Sequence, residues 1–135
     1  MPTFKRIDHV AIATADMADA AAKWERNLGL RVEEQVSRPL GSDFDVARLP
    51  VGDAFLLLIQ PVEEEGPFGE QVKERGEGLF ALSVEVDDLD EAVAHLRGKD
   101  ARVSDPEEGI WPGSRVARVS QASTHGVPIQ LIQRL

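Results

Sequence analysis

Apolar and polar positions along this chain follow two periodicities, and each pattern occurs twice. Ile7-Asp8-His9-Val10-Ala11-Ile12-Ala13 reads as a short strand, and Leu79-Phe80-Ala81-Leu82-Ser83-Val84-Glu85 falls over it when the chain is set against itself at an offset near 70 residues. The period then changes to that of a helix. Met17, Ala20, Ala21, Trp24 and Leu28 share one helical face, and Leu89, Ala92, Val93 and Leu96 share another. These residues are expected to bury the two helices. Asp16 and Asp88 stand as N-caps, each with an acid three residues later, and Gly29 and Gly98 are natural stops. Further on, Val46-Ala47-Arg48 recurs as Val116-Ala117-Arg118, and Leu57-Leu58-Ile59-Gln60 recurs as Gln130-Leu131-Ile132-Gln133.

An internal repeat fixes the architecture before any single residue is interpreted. Each half reads strand, helix, then strands, which makes an α+β protein of two tandem βαβββ modules, over residues 4–61 and 78–135 of a single domain. Neither half alone closes a core. Residues 62–77 link them, with Pro67 suited to a first helical turn and Gly76 to its end, so a short helix is expected there. Gly41, Ser42 and Asp43 mark one loop, Asp105 to Gly113 a longer one, and Glu63 to Glu65 a solvated one.

Composition changes the picture mainly by exclusion. The 135 residues can bury roughly two-thirds of the unfolded surface, enough for a core without staples. No cysteine is present, which removes disulfides, thiolate metal sites and cysteine nucleophiles. The net charge of -9 opposes nucleic acid and anionic lipid as partners. The longest apolar run, Ala54 to Ile59, is far below the ~20 residues of a membrane span. A cytoplasmic location is the default expectation.

Five segments then carry a resemblance: Asp8-His9-Val10-Ala11-Ile12, Leu49-Pro50-Val51-Gly52-Asp53, Gly76-Glu77-Gly78-Leu79, Glu85-Val86-Asp87-Asp88-Leu89 and Ser123-Thr124-His125-Gly126-Val127. Together with the repeat, they resemble the vicinal oxygen chelate superfamily, the glyoxalase-like fold, and within it the methylmalonyl-CoA epimerase branch. The resemblance runs from about Ile7 to Gln133. It implies a cup-shaped, eight-stranded mixed sheet, frequent homodimers, and a divalent metal held by one residue from the first and last strands of each module. Those positions are His9, Leu57, Ala81 and Gln130 here. Only His9 is a usual ligand, so the expectation is no metal and no cofactor, with a weak divalent ion through His9 as the alternative.

Strand alternation indicates what shares the cup with His9 and Gln130. Ala81, Ser83 and Glu85 lie on one face. In the third strands Ala47, Leu49, Ala117 and Val119 read as helix-facing, which leaves Arg48 and Arg118 on the other side, either as cavity guanidiniums replacing the metal's charge or as ion pairs with Glu85, Asp43 or Asp45. The candidate catalytic residues are therefore His9, Glu85 and Asp45. Candidate substrate-binding residues are Arg48, Arg118, Gln130, Ser83 and Trp111, the last as an aromatic lid or a core residue. His95 reads as exposed, and His125 as a turn residue.

These residue types permit proton transfer next to a carbonyl. The expected function is thus a metal-independent isomerase, epimerase or lyase acting on a small anionic or carbonyl ligand. Two alternatives stand beside it: a noncatalytic sequestration protein, as in the drug-resistance branch, and a metal-dependent acyl-CoA epimerase with atypical ligands.

Overall fold

The computed structural model describes residues 2–135. The chain runs β1 (Phe4–Ala13), α1 (Met17–Leu28), β2 (Glu34–Ser37), β3 (Phe44–Val51), β4 (Ala54–Pro61), α2 (Pro67–Arg75), β5 (Gly78–Val86), α3 (Leu89–Gly98), β6 (Glu107–Glu108), β7 (Arg115–Val119) and β8 (Ile129–Gln133). Single 3-10 turns lie at Pro39–Gly41 and Gln121–Thr124. Strand, helix and three strands thus occur twice, with α2 between the repeats, as the duplicated pattern requires. The eight strands follow the order β2-β3-β4-β1-β5-β8-β7-β6. The sheet is mixed, since β5 and β8 run parallel while β2/β3, β3/β4, β6/β7 and β7/β8 are antiparallel. None of the helices among the described residues is long and apolar enough to cross a membrane.

Both repeats start their helix with the same two devices. The Asp16 carboxylate accepts from Asp19 N at 3.0 Å, and Asp88 accepts from Glu91 N at 3.0 Å, each satisfying an amide that the helix leaves without an internal partner. A glutamine from the last strand of the repeat reaches the first residue of each helix: Gln60 Oε1 accepts from Met17 N, and Gln133 Oε1 from Leu89 N, both at 2.6 Å. The helix is thereby tied to the far end of its own repeat.

By packing, the chain divides into two units, one of Val10–Phe80 and one of the chain up to His9 with Ala81–Leu135. In the first, Ala21, Ala47, Leu49 and Leu58 form a buried core against which Ile12, Met17, Ala20 and Trp24 pack. In the second, Val86, Leu89, Ala92, Val93, Ala117, Val119 and Leu131 do so, with Val84 and Leu96 beside them. The helix-facing assignment of Ala47, Leu49, Ala117 and Val119 is therefore seen directly.

Two local expectations are corrected. Leu28 does not bury its helix; it is 64% exposed. Gly29 takes up a left-handed conformation directly after it (φ 74°), and Leu30 and Val32 in the following segment fill the place against the core instead. Gly98 does not stop α3 but is its last helical residue. The turn is made by Lys99 and by Asp100, whose φ is 66°.

Gly69 yields a prediction opposite to helix propensity. It lies inside α2, where alanine would ordinarily gain about 1 kcal/mol. Here a Cβ would stand 2.2 Å from the carbonyl oxygen of Glu63 and 2.5 Å from that of Glu64, both main-chain atoms that cannot move aside cheaply. Gly69→Ala is expected to destabilise the protein by about 1–3 kcal/mol, read as a lower urea midpoint.

Candidate active site

β1 carries two adjacent interior groups, Asp8 and His9, at 0% and 4% exposure. A carboxylate removed from water needs donors on all sides, and Asp8 has them. Arg134 donates from Nε to Oδ1 at 2.7 Å and from its terminal nitrogen to Oδ2 at 2.9 Å, a two-point guanidinium grip. Arg6 adds a bond to Oδ1 at 3.1 Å. Burial alone would push this carboxyl up; the hydrogen bonds from Arg134 and His9, with their charges, instead hold it well below the usual carboxylate range.

An ionised carboxylate only accepts, which settles the ring geometry of its neighbour. Nδ1–H of His9 donates to Asp8 Oδ2 at 2.7 Å. In the neutral ring the lone pair therefore resides on Nε2. An acid that fixes the tautomer and orientation of a histidine is the arrangement used to prepare general bases.

The remaining predicted site residues divide into those on this unit and those elsewhere. Glu85, buried, accepts from Arg6 Nε at 2.8 Å, and so joins the same chain of charges, Glu85–Arg6–Asp8–Arg134, with Lys5 Nζ 3.9 Å from its second oxygen. Ser83 is 3% exposed and faces Gln130 across the parallel β5/β8 pair; Gln130 Nε2 donates to Ser83 Oγ at 3.0 Å. Arg118 is register partner to Gln130 on β7, but its side chain is 65% exposed and ion-paired with Glu107. Trp111 is buried, and its carbonyl accepts from Ser114 N and Oγ at 3.0 and 2.6 Å, which anchors the ring in a closed turn.

In the Val10–Phe80 unit, Arg48 holds the register position on β3 opposite Leu57 that Arg118 holds opposite Gln130. Its guanidinium lies 4.0 Å from the centre of the Phe55 ring, and Nε is 3.2 Å from Glu33. The arginines thus pair with Glu33 and Glu107, and not with Glu85, Asp43 or Asp45. Both of the latter aspartates hold main-chain amides: Asp45 accepts from Arg38 N and Ser37 Oγ, and Asp43 accepts from Phe68 N at the start of α2. His95 is half-buried, and His125 sits exposed in a left-handed turn (φ 56°).

Sequence reasoning passed over Asp8, Arg6 and Arg134. Simple alternation sends neighbouring side chains on a strand to opposite faces, so a linear pattern gives no reason to join Asp8 to His9. Arg134 lies 126 residues from its partner and belongs to no periodic pattern.

The four positions that the resemblance assigns to a metal supply one imidazole, the hydrocarbon side chains of Leu57 and Ala81, and an amide whose NH2 group is turned to Ser83. That donor set does not fit a divalent ion, which calls for three or four anionic or imidazole ligands. Among the described residues, no group of three or more His, Asp or Glu side chains is placed to hold one.

Comparison with known proteins places this geometry. Residues 8–118 match the family model of the Glyoxalase/Bleomycin resistance protein/Dioxygenase superfamily. Mitochondrial methylmalonyl-CoA epimerase of Homo sapiens is 31% identical over 130 residues, covering 95% of this chain and 73% of the human protein. A solved structure of Streptomyces coelicolor methylmalonyl-CoA epimerase, a variant in complex with 2-nitronate-propionyl-CoA, superimposes with a TM-score of 0.86 at 26% identity, over 98% of this chain and 96% of that one. A hypothetical protein from Bacillus halodurans shares the fold, with a TM-score of 0.89 at 23% identity over 96% and 94% of the two chains. The chain belongs to the Glyoxalase/Bleomycin resistance protein/Dioxygenase superfamily, the vicinal oxygen chelate proteins, and within it resembles the methylmalonyl-CoA epimerases.

Proposed function

We propose that the protein is an epimerase-like enzyme that moves a proton next to the carbonyl of a small anionic acyl compound, without a metal. The observation that carries this reading is the buried Asp8–His9 pair, with Asp8 kept ionised by the hydrogen bonds and charges of Arg134 and His9. His9 Nε2 takes the proton from the carbon next to the carbonyl, and the new imidazolium is balanced by Asp8 through Nδ1–H. The enolate oxygen needs a donor. Ser83 supplies it: its oxygen already accepts from Gln130, which directs its own O–H toward the reacting carbonyl. The imidazolium exchanges its proton with solvent, the planar enolate turns its other face to the ring, and proton delivery from His9 Nε2 to that face gives the epimer. Glu85 serves this scheme by holding Arg6 against Asp8.

Likeness to the methylmalonyl-CoA epimerases supports an acyl-CoA with an acidic hydrogen between two carbonyl groups as the substrate class. The metal-free reading rests on the donor set at His9, Leu57, Ala81 and Gln130. The direct test is incubation of EDTA-treated protein with (R)- or (S)-methylmalonyl-CoA in D2O. Incorporation of one deuterium with loss of optical purity is the expected result. Tight binding without exchange would instead identify a sequestration protein, and exchange restored only by added divalent ion would return the metal to the mechanism.

Ser83→Ala should lower turnover by about 10²-fold with little change in melting temperature, the loss typical for one oxyanion donor. A homodimer in the cytoplasm completes the reading. Sedimentation velocity is expected to show about twice the chain mass at micromolar concentration, and a strict monomer would remove that part.

A further inference from the structure

The repeat aligns the two cores residue by residue, and the second is larger at one position, where Ala21 corresponds to Val93, but smaller around another part of its helix. Ile12, Trp24, Leu49 and Leu58 of the Val10–Phe80 unit correspond to Val84, Leu96, Val119 and Leu131 of the other. Three of those four positions carry the smaller side chain in the second set, and the largest step is from the indole of Trp24 to the isobutyl group of Leu96. Those same four residues, with Ile129 and Phe4, line a pocket of about 210 Å³ between α3 and the strands. Such an apolar space has no partner atoms on one side, so its walls forgo dispersion contacts that close-packed interiors normally make.

The walls make almost no polar demand. Ser123 and Thr124 also border the pocket, but Ser123 Oγ accepts from Arg102 N at 3.0 Å and Thr124 Oγ1 donates to the carbonyl of Val127. Among the described residues, no charged side chain lines it. The pocket also lies on the α3 side of the strands. Val84 and Leu131 are in the core beneath α3, whereas their neighbours Ser83 and Gln130 point to the other face. Phe4, 53% exposed, stands at the rim with a ring able to stack on an occupant.

We propose that this pocket is a binding site for a flat, uncharged aromatic molecule of about the size of indole, separate from the His9 site. The repeat-related position shows which shape complements such walls, because there the chain's own Trp24 ring packs against them. The volume agrees: a dry apolar cavity of about 150 Å³ is sufficient for benzene, and the additional space here admits a second fused ring. An anionic ligand is excluded by the lining, since a carboxylate would lose its water and gain no donor.

The test uses indole as the probe and methyl-resolved NMR of the intact protein. Saturable shifts are expected at the methyl groups of Val84, Leu96, Val119 and Leu131, with those of Leu57 unmoved. Indole-3-acetate should bind at least tenfold more weakly. Leu96→Trp, which supplies the ring covalently, should weaken indole binding at least tenfold and raise the melting temperature. If that variant does not fold, Val119→Leu, which copies Leu49, serves in its place and should weaken binding at least threefold. Absence of saturable shifts up to the solubility of indole, or equal affinity in the wild type and the filled variant, would overturn the proposal. Because the readout involves neither turnover nor His9, its failure leaves the proposed chemistry untouched.

Discussion

Asp8→Asn is expected to cost about 3–5 kcal/mol of stability, the range seen when a buried ion pair loses one partner. The carboxylate is fully enclosed, and it collects bonds from two guanidiniums and an imidazole. An amide in its place turns one acceptor into a donor facing other donors, and takes from Arg134 the carboxylate it grips at two points. Urea unfolding at neutral pH would show the loss as a shifted midpoint at constant slope. The pH dependence supplies an independent check. Because folding lowers the Asp8 pKa, its contribution is fully present above the unfolded value of about 3.9, and drains away as pH falls from there toward the lower folded value. The wild-type protein should therefore lose stability across that acid range, and the asparagine variant should lose measurably less. Equal acid slopes in both proteins would mean that Asp8 is not the buried anion described here.

The second large effect concerns chemistry. His9→Gln keeps a side chain able to donate to Asp8 but removes the basic nitrogen. Turnover in the deuterium-exchange assay should fall by about 10³-fold, within the range for loss of a general base. The melting temperature should move by only a few degrees, since the carboxylate retains Arg134 and Arg6. Asp8→Asn ought to depress turnover as well while leaving substrate affinity comparatively intact. A glutamine variant with unchanged exchange would transfer the base role elsewhere, and Glu85 would then be the first residue to replace.

The fold was legible because it is written twice. Repeated N-caps at Asp16 and Asp88, repeated apolar stripes and the two Val-Ala-Arg triplets each fix local structure, and the repeat carries them to tertiary level. What pattern reading could not supply was set by contacts remote in sequence. Alternation sets Arg48 and Arg118 apart from the helix-facing residues of their strands, yet their partners, Glu33 and Glu107, sit in segments without periodicity. Trp111 and Asp45 looked chemical by residue type. Burial in a turn and two capping bonds give them structural work in the interior and at a strand end. His9 stands out in the sequence because imidazoles are few. Its partner was hidden in plain view one residue earlier, since nothing in a linear pattern distinguishes an aspartate that faces solvent from one enclosed by an arginine 126 residues away.

That separation has a consequence for the order of folding. A contact that closes 126 residues of chain costs more loop entropy than any hairpin or helix between its ends, so Arg134 is expected to reach Asp8 after those elements have formed. Until the two meet, the aspartate has no two-point counterion and no reason to leave water, so His9 has no fixed acceptor for Nδ1–H. The Asp8–His9 pair is therefore ordered late, and Asp8→Asn should speed unfolding far more than it slows folding.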